Sequence, residues 1–202
     1  VNALYFMEEH VTPARTICLG FLTVITVGAL LLTLPISATS GTWSNPITGL
    51  FISTSAVCVT GLAVVDIGKF YTPLGQGFIA LLSQIGGLGY MTATTFLLLF
   101  VRKRFSLREK ITLQQSLDLP GLRGSLQLVE SIIATTLIFE LTGVFALIPV
   151  FLQKYGWGES IWLAVFHSVS AFNNAGFSLF SNNLMDYVSS PALNLTITSL
   201  II

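Results

Sequence analysis

Residues 51–66 read FISTSAVCVTGLAVVD. The stretch is apolar enough to enter a bilayer. Yet it carries the hydroxyls of Ser53, Thr54, Ser55 and Thr60, is broken by Gly61 and closes on the acid Asp66. A helix that crosses a hydrocarbon core needs about 20 predominantly apolar residues. This run is too short for that, and too apolar for an exposed loop.

The remainder of the chain sets the context. Of 202 residues, 53% are hydrophobic and 9% charged, against about 25% charged in a soluble domain, and the mean hydropathy is +0.82. These values define an integral membrane protein in contact with lipid. The formal net charge is zero, and no basic run is interleaved with aromatics, so a nucleic-acid partner is not expected. Cys18 and Cys58 form neither a disulfide framework nor a metal-type pair and read as small buried thiols. The N-terminus, VNALYFMEEHVTPAR, carries Glu8, Glu9 and Arg15 before a long apolar run, a pattern unlike a signal peptide. The last residues, NLTITSLII, stop within an apolar run, so the chain reads as a fragment.

Three runs are long enough to span: 14–36, 73–101 and 126–152, with a fourth starting near Pro191. Between them lie two shorter apolar segments, 44–63 and 157–178, each compatible with a helix at its start. Pro46 suits a first helical turn and Glu159 is favourable near a helix N-terminus. The expected organisation is therefore all-α. One span–short segment–span unit covers 1–101, a connector covers 102–124, and a second such unit covers 125–202 with its final span truncated. Arg15, Arg102, Lys103, Arg104, Arg108, Lys110 and Arg123 fall on one side of these spans, and Lys69 and Lys154 on the other. The positive-inside rule then places the N-terminus and the connector in the cytoplasm. Within the connector, 106–119 reads as an amphipathic surface helix, either interfacial or a docking surface for a cytoplasmic partner.

The two short segments are related. An offset of 115 residues lays Phe51 on Phe166, Ser53 on Ser168, Ser55 on Ser170, Ala56 on Ala171 and Gly61 on Gly176, without a gap. Five identities in eleven positions, in equivalent places between spans, mark an internal repeat.

Irregular backbone at membrane depth is tolerated only where protein buries it or it lines a water-filled cavity. A short helix that enters and turns back leaves carbonyls free beyond its end. Such oxygens can replace the hydration shell of a monovalent cation, and glycine reaches the required backbone angles cheaply. The segments Val59-Thr60-Gly61 and Asn174-Ala175-Gly176 meet that requirement, and Asn173 is a further candidate ion-binding carbonyl before the second. Against the potassium-channel filter TVGYG, the chain offers VTGLA at 59–63 and NAGFS at 174–178. Only the first glycine is kept in both.

In these features, and in LLSQIGGLGYMT within the second apolar span, the whole chain resembles the Trk/Ktr/HKT superfamily of potassium transporters, in particular the membrane subunits of bacterial Ktr systems. The resemblance implies four such units around one central pore, of which two are present. It implies potassium as the transported ion, selected by backbone carbonyls and often stimulated by sodium. It also implies a homodimeric membrane subunit in the bacterial plasma membrane, assembled with a cytoplasmic ring of RCK-type nucleotide-binding subunits. In plant members a Ser in place of the first filter glycine accompanies sodium preference, so Gly61 favours potassium. A sodium-permeable relative is the nearest alternative.

Other residues carry two readings each. Gly86, Gly87 and Gly89 suit either a hinge or close helix packing. Glu140 is an acid deep in a span, a functional candidate by default or a structural hydrogen-bonding partner. Asp66 and Asp186 follow the two glycine segments, where they either concentrate cations or are simply solvated. His167 with Ser170 suggests an intramembrane hydrolase. However, the repeat-related residue is Ile52, and no GxSxG or HExxH motif is present. The expectation is a transporter, not an enzyme.

Overall fold

The structure is a computed structural model that describes the backbone of 13–102 and 121–202, and side chains over 18–89 and 130–202. The amphipathic helix expected at 106–119 lies outside the described residues. Among these, the secondary structure is helical, with one isolated antiparallel bridge, Ala38 to Tyr71.

Three helices build the first unit: α1 (Pro13–Thr33), α2 (Pro46–Val57) and, after the one-turn α3 (Ile67–Phe70), the 30-residue α4 (Pro73–Arg102). The second unit repeats the order as α5 (Gly121–Phe151), α6 (Trp157–Phe172), a 3-10 turn (Met185–Tyr187) and α7 (Pro191–Ile201). At 1.5 Å per residue the 21 residues of α1 measure about 31 Å, whereas the 12 of α2 measure about 18 Å. The starts have local causes. Asn45 accepts a hydrogen bond from Ile47 N and Pro46 takes the first turn of α2. Ser190 accepts from Leu193 N ahead of Pro191, and Thr72 Oγ1 accepts from Gly75 N ahead of α4. The α6 helix instead starts after Gly156, with Glu159 in its first turn.

Within each unit the short helix packs on the helix before it and on the one after it. The units join where α4 meets α6. One core cluster spans that junction, combining Leu32, Ile52, Val57, Ile79 and Leu82 with Phe166, Ala175 and Phe177. A second, around Leu147, Phe151, Ala164 and Leu193, belongs to the second unit alone. Residues Glu130–Phe151 of α5 are long and apolar enough to cross a bilayer. One face of this segment carries Leu147 and Phe151 into the core, while the other points outward: Ile138 is 65% and Phe145 72% exposed. A soluble core helix would bury such residues; continuous apolar exposure of this kind suits lipid or further protein.

Two expectations change. Cys18 and Cys58 are free but exposed, since Cys18 lies on the outward face of α1 and Cys58 caps the end of α2. The short helix α3 was not foreseen; Asp66 creates it by accepting from Lys69 N.

Candidate functional site

The site forms where α2 and α6 end. The helices stop at Val57 and Phe172, and the chain beyond each makes the same turn. Val59 N donates to Ala56 O and Thr60 N to Ser55 O. In the second unit Asn174 N donates to Ala171 O and Ala175 N to Ser170 O. Val59 and Asn174 both take φ of 56°, and Gly61 and Gly176 take 71° and 73°. Left-handed φ is ordinary for glycine but strained for a β-branched residue such as Val59. Its recurrence at Asn174 marks a conformation that the surroundings impose.

The serines of the shared pattern hold these turns in place. Ser53 Oγ donates to Ile25 O and Ser168 Oγ to Glu140 O, each at 2.7 Å. Each thereby ties its short helix to the preceding long one. Gly28 and Gly143 make room for them, because a Cβ at either would overlap the facing serine hydroxyl. Thr60 Oγ1 turns back to Ser55 O at 3.1 Å, and Ser170 Oγ donates to Phe177 O at 2.7 Å.

The two turns meet. A Cβ on Gly61 would overlap Ala175 O and approach Gly176 Cα to 3.1 Å. Among the described residues, the carbonyls of Val59, Thr60, Gly61, Asn174, Ala175 and Gly176 accept no hydrogen bond. A cavity of about 430 Å³ opens beside both glycines, with Asp66, Ser178, Ser181 and Asn183 in its wall. Asp66 shares this wall with Ser181 of the second unit. The Ser181 hydroxyl is the largest cause holding its carboxyl below the usual value of 3.8; partial burial opposes this, and the Lys69 N–H and ammonium add to it. The Lys69–Asp66 ion pair is 3.6 Å long and exposed on the lysine side, so it adds little.

The remaining candidates separate. Asp186 is exposed, accepts from Asn182 Nδ2 at 2.7 Å and is not in the cavity wall. Glu140 lies behind the second turn, where Asn173 Nδ2 donates to its Oε1 at 3.2 Å. Gly86 and Gly87 follow the packing reading, since a Cβ on them would overlap Val57 O and Asn173 Oδ1 respectively. Among the described residues, an added Cβ on Gly89 would meet Phe21, at 3.2 Å. His167 is buried with Nδ1 on Leu163 O and Nε2 3.1 Å from Ser178 Oγ. Ser170 donates elsewhere, so the two do not form a nucleophile–base pair. Sequence reasoning had missed Gln84 and Ser181, which reach the site from a long helix and a loop. Only Ser181 had a signal, being 115 residues beyond Asp66.

Fold and site together define an all-helical membrane protein with two like backbone turns at the junction of its units. The TrkH family, described as cation transport protein, matches residues 9–202. The chain belongs to this family. It is 42% identical over 192 residues to the Ktr system potassium uptake protein B of Bacillus subtilis (strain 168), covering 95% of this chain and 42% of that protein. To the protein of the same description from Vibrio alginolyticus it is 40% identical over 188 residues, covering 93% and 41%. The potassium/sodium uptake protein NtpJ of Enterococcus hirae is 35% identical over 196 residues, covering 97% and 44%. The chain thus spans about two-fifths of the length of these curated relatives. They are transport proteins and not enzymes, and the hydrolase reading falls with them.

Proposed function

We propose that this chain contributes two of the ion-selecting segments of a potassium-translocating membrane subunit of a Ktr-type uptake system. The six carbonyls of 59–61 and 174–176, which accept no hydrogen bond among the described residues, carry the reading. They follow short helices that do not span, and left-handed glycines shape both turns. Neutral carbonyl dipoles suit a weakly hydrated monovalent cation, bound loosely enough to leave again. On this reading α2 and α6 are pore helices, and the side chains of Thr60 and Asn174 brace the turns while their carbonyls face the ion. Asp66, at the cavity wall, raises the local cation concentration.

The remaining parts of the proposal rest on the family resemblance. Two further units complete the pore, the subunit sits in the bacterial plasma membrane as a homodimer, and a cytoplasmic RCK-type nucleotide-binding ring regulates it from the side of 102–124, with sodium stimulating uptake. Sodium permeation is the second reading, favoured by the likeness to a relative described as a potassium/sodium uptake protein. Gly61, retained in the first turn, favours potassium.

The test uses the full-length parent in cells that lack potassium uptake. Gly61→Ser and Gly176→Ser are each expected to raise the KM for potassium and lower the preference for potassium over sodium. If both variants transport like the parent, with unchanged ion preference, the carbonyl reading is wrong.

A further inference from the structure

We propose that Glu140 is a positioning residue for the second glycine turn: with Gln84 it fixes Asn173, and through Asn173 the backbone of 174–176 that sets ion preference. The inference rests on the carbonyl reading above.

Asn173 is the last anchored residue before the strained turn. It caps α6, with φ of −80°, and the next residue already stands at φ of 56°. Its side chain is buried and held from two other helices. The two hydrogens of its Nδ2 are shared among three acceptors, Gln84 Oε1 of α4 at 2.7 Å, Glu140 Oε1 of α5 at 3.2 Å and Val169 O at 2.9 Å. Gln84 and Glu140 thus converge on the same amide nitrogen from two different helices. On its remaining side Asn173 lies against Gly87, where any Cβ would overlap Oδ1. A side chain fixed from three directions transmits its position to the residue that follows.

The first unit shows that the fold does not need this arrangement merely to pack. The residues 115 positions earlier are Ile25 and Cys58. There the helix end is held by Ser53 on Ile25 O and by the close approach of Gly86 to Val57 O, without a carboxylate. The serine–carbonyl tie is present in the second unit as well, so the Glu140 carboxyl is an addition to it. Interhelical polar contacts in membranes are often no more than packing glue. Glue alone would alter the amount of folded protein and leave the ion preference as it was.

The experiment measures uptake of potassium and sodium by the full-length parent, with membrane abundance determined alongside. Glu140→Ile, which installs the first unit's residue, is expected to lower the potassium-over-sodium ratio of Vmax/KM about tenfold at comparable abundance, the scale of one lost buried hydrogen bond. Glu140→Gln keeps an acceptor for Asn173 and should stay within about twofold of the parent. Gln84→Leu should shift the ratio in the same direction as Glu140→Ile, and it carries the test if Glu140→Ile fails to reach the membrane. Reduced abundance with an unchanged ratio in the variants that reach the membrane overturns the inference, as does a Glu140→Gln protein as impaired as Glu140→Ile. Gly61→Ser and Gly176→Ser run in parallel. If they change the ratio while Glu140→Ile and Gln84→Leu do not, the positioning role alone fails. If none of the variants changes it, the carbonyl reading fails as well.

Discussion

Gly61 and Gly176 have nearly the same φ but not the same surroundings. An added Cβ at Gly61 overlaps Ala175 O, whereas one at Gly176 meets only Gly61 Cα, at 3.6 Å. Gly176→Ala should therefore cost only the left-handed backbone penalty, about 1–2 kcal/mol. Gly61→Ala carries that penalty and must also displace the facing turn, so it should unfold at a lower temperature than Gly176→Ala when the full-length protein is melted in detergent. Asp66 offers a pH test. Its folded pKa is depressed, chiefly by Ser181, so its contribution is complete above the unfolded value near 4 and disappears as pH falls through the folded value. Melting temperature should be insensitive to this group between pH 5 and 8 and fall on further acidification. Asp66→Asn should flatten that acid limb, and an unchanged limb would show that other carboxylates govern it. The glycines were legible in the sequence because a repeated pattern surrounds each of them. The role of Asp66 was only half legible: its place after the turn could be read, but its partner Ser181 comes from a loop whose path no local pattern fixes.

Among the elements, the short helices are defined by what stops them. Both end at positions related by the 115-residue offset, after the shared Ser-x-Ser-Ala and before the shared glycine, and a proline, a cap or a glycine marks the start of each. Those ends were readable because helix starts and left-handed stops are local chemistry. The serine ties were not, since Ser53 reaches a main-chain carbonyl 28 residues away and any residue supplies a carbonyl. Ser53→Ala and Ser168→Ala should each destabilise the full-length protein by about 1 kcal/mol. Because the two ties join different helix pairs, the double variant should lose close to the sum; strong non-additivity in denaturation would reveal coupling through α4. Gly143→Ala should cost more than Ser168→Ala, because the added methyl overlaps Ser168 Oγ and also meets Leu200 Cδ1 at 2.6 Å.

Across the molecule, the units are joined through few polar contacts. Trp162 Nε1 donates to Gln76 Oε1 at 2.6 Å, and Gln76 Nε2 continues to Tyr71 O at 2.9 Å and Gly68 O at 3.3 Å. This chain runs from α6 of the second unit to the loop that follows the first glycine turn. Trp162→Phe keeps a large ring but leaves the buried Gln76 oxygen without its donor, a loss of about 1–3 kcal/mol. It should lower the melting temperature, and Gln76→Leu combined with it should recover part of the loss by removing the orphaned acceptor. The membrane class and the order of helices were evident from composition and span lengths alone. The contacts between units were not, because Trp162 and Gln76 lie 86 residues apart and an interhelical hydrogen bond has no sequence period.

The serine ties also bear on how a duplicated sequence diverges. Ser53 and Ser168 grip the main chain at positions 25 and 140, and a main-chain oxygen is the same whatever side chain stands beside it. The tie therefore places no demand on residue identity there. One copy could drift to isoleucine and the other to glutamate without loosening the joint. Spare freedom of that kind is where a duplicated unit can acquire a new task while its twin keeps the old shape.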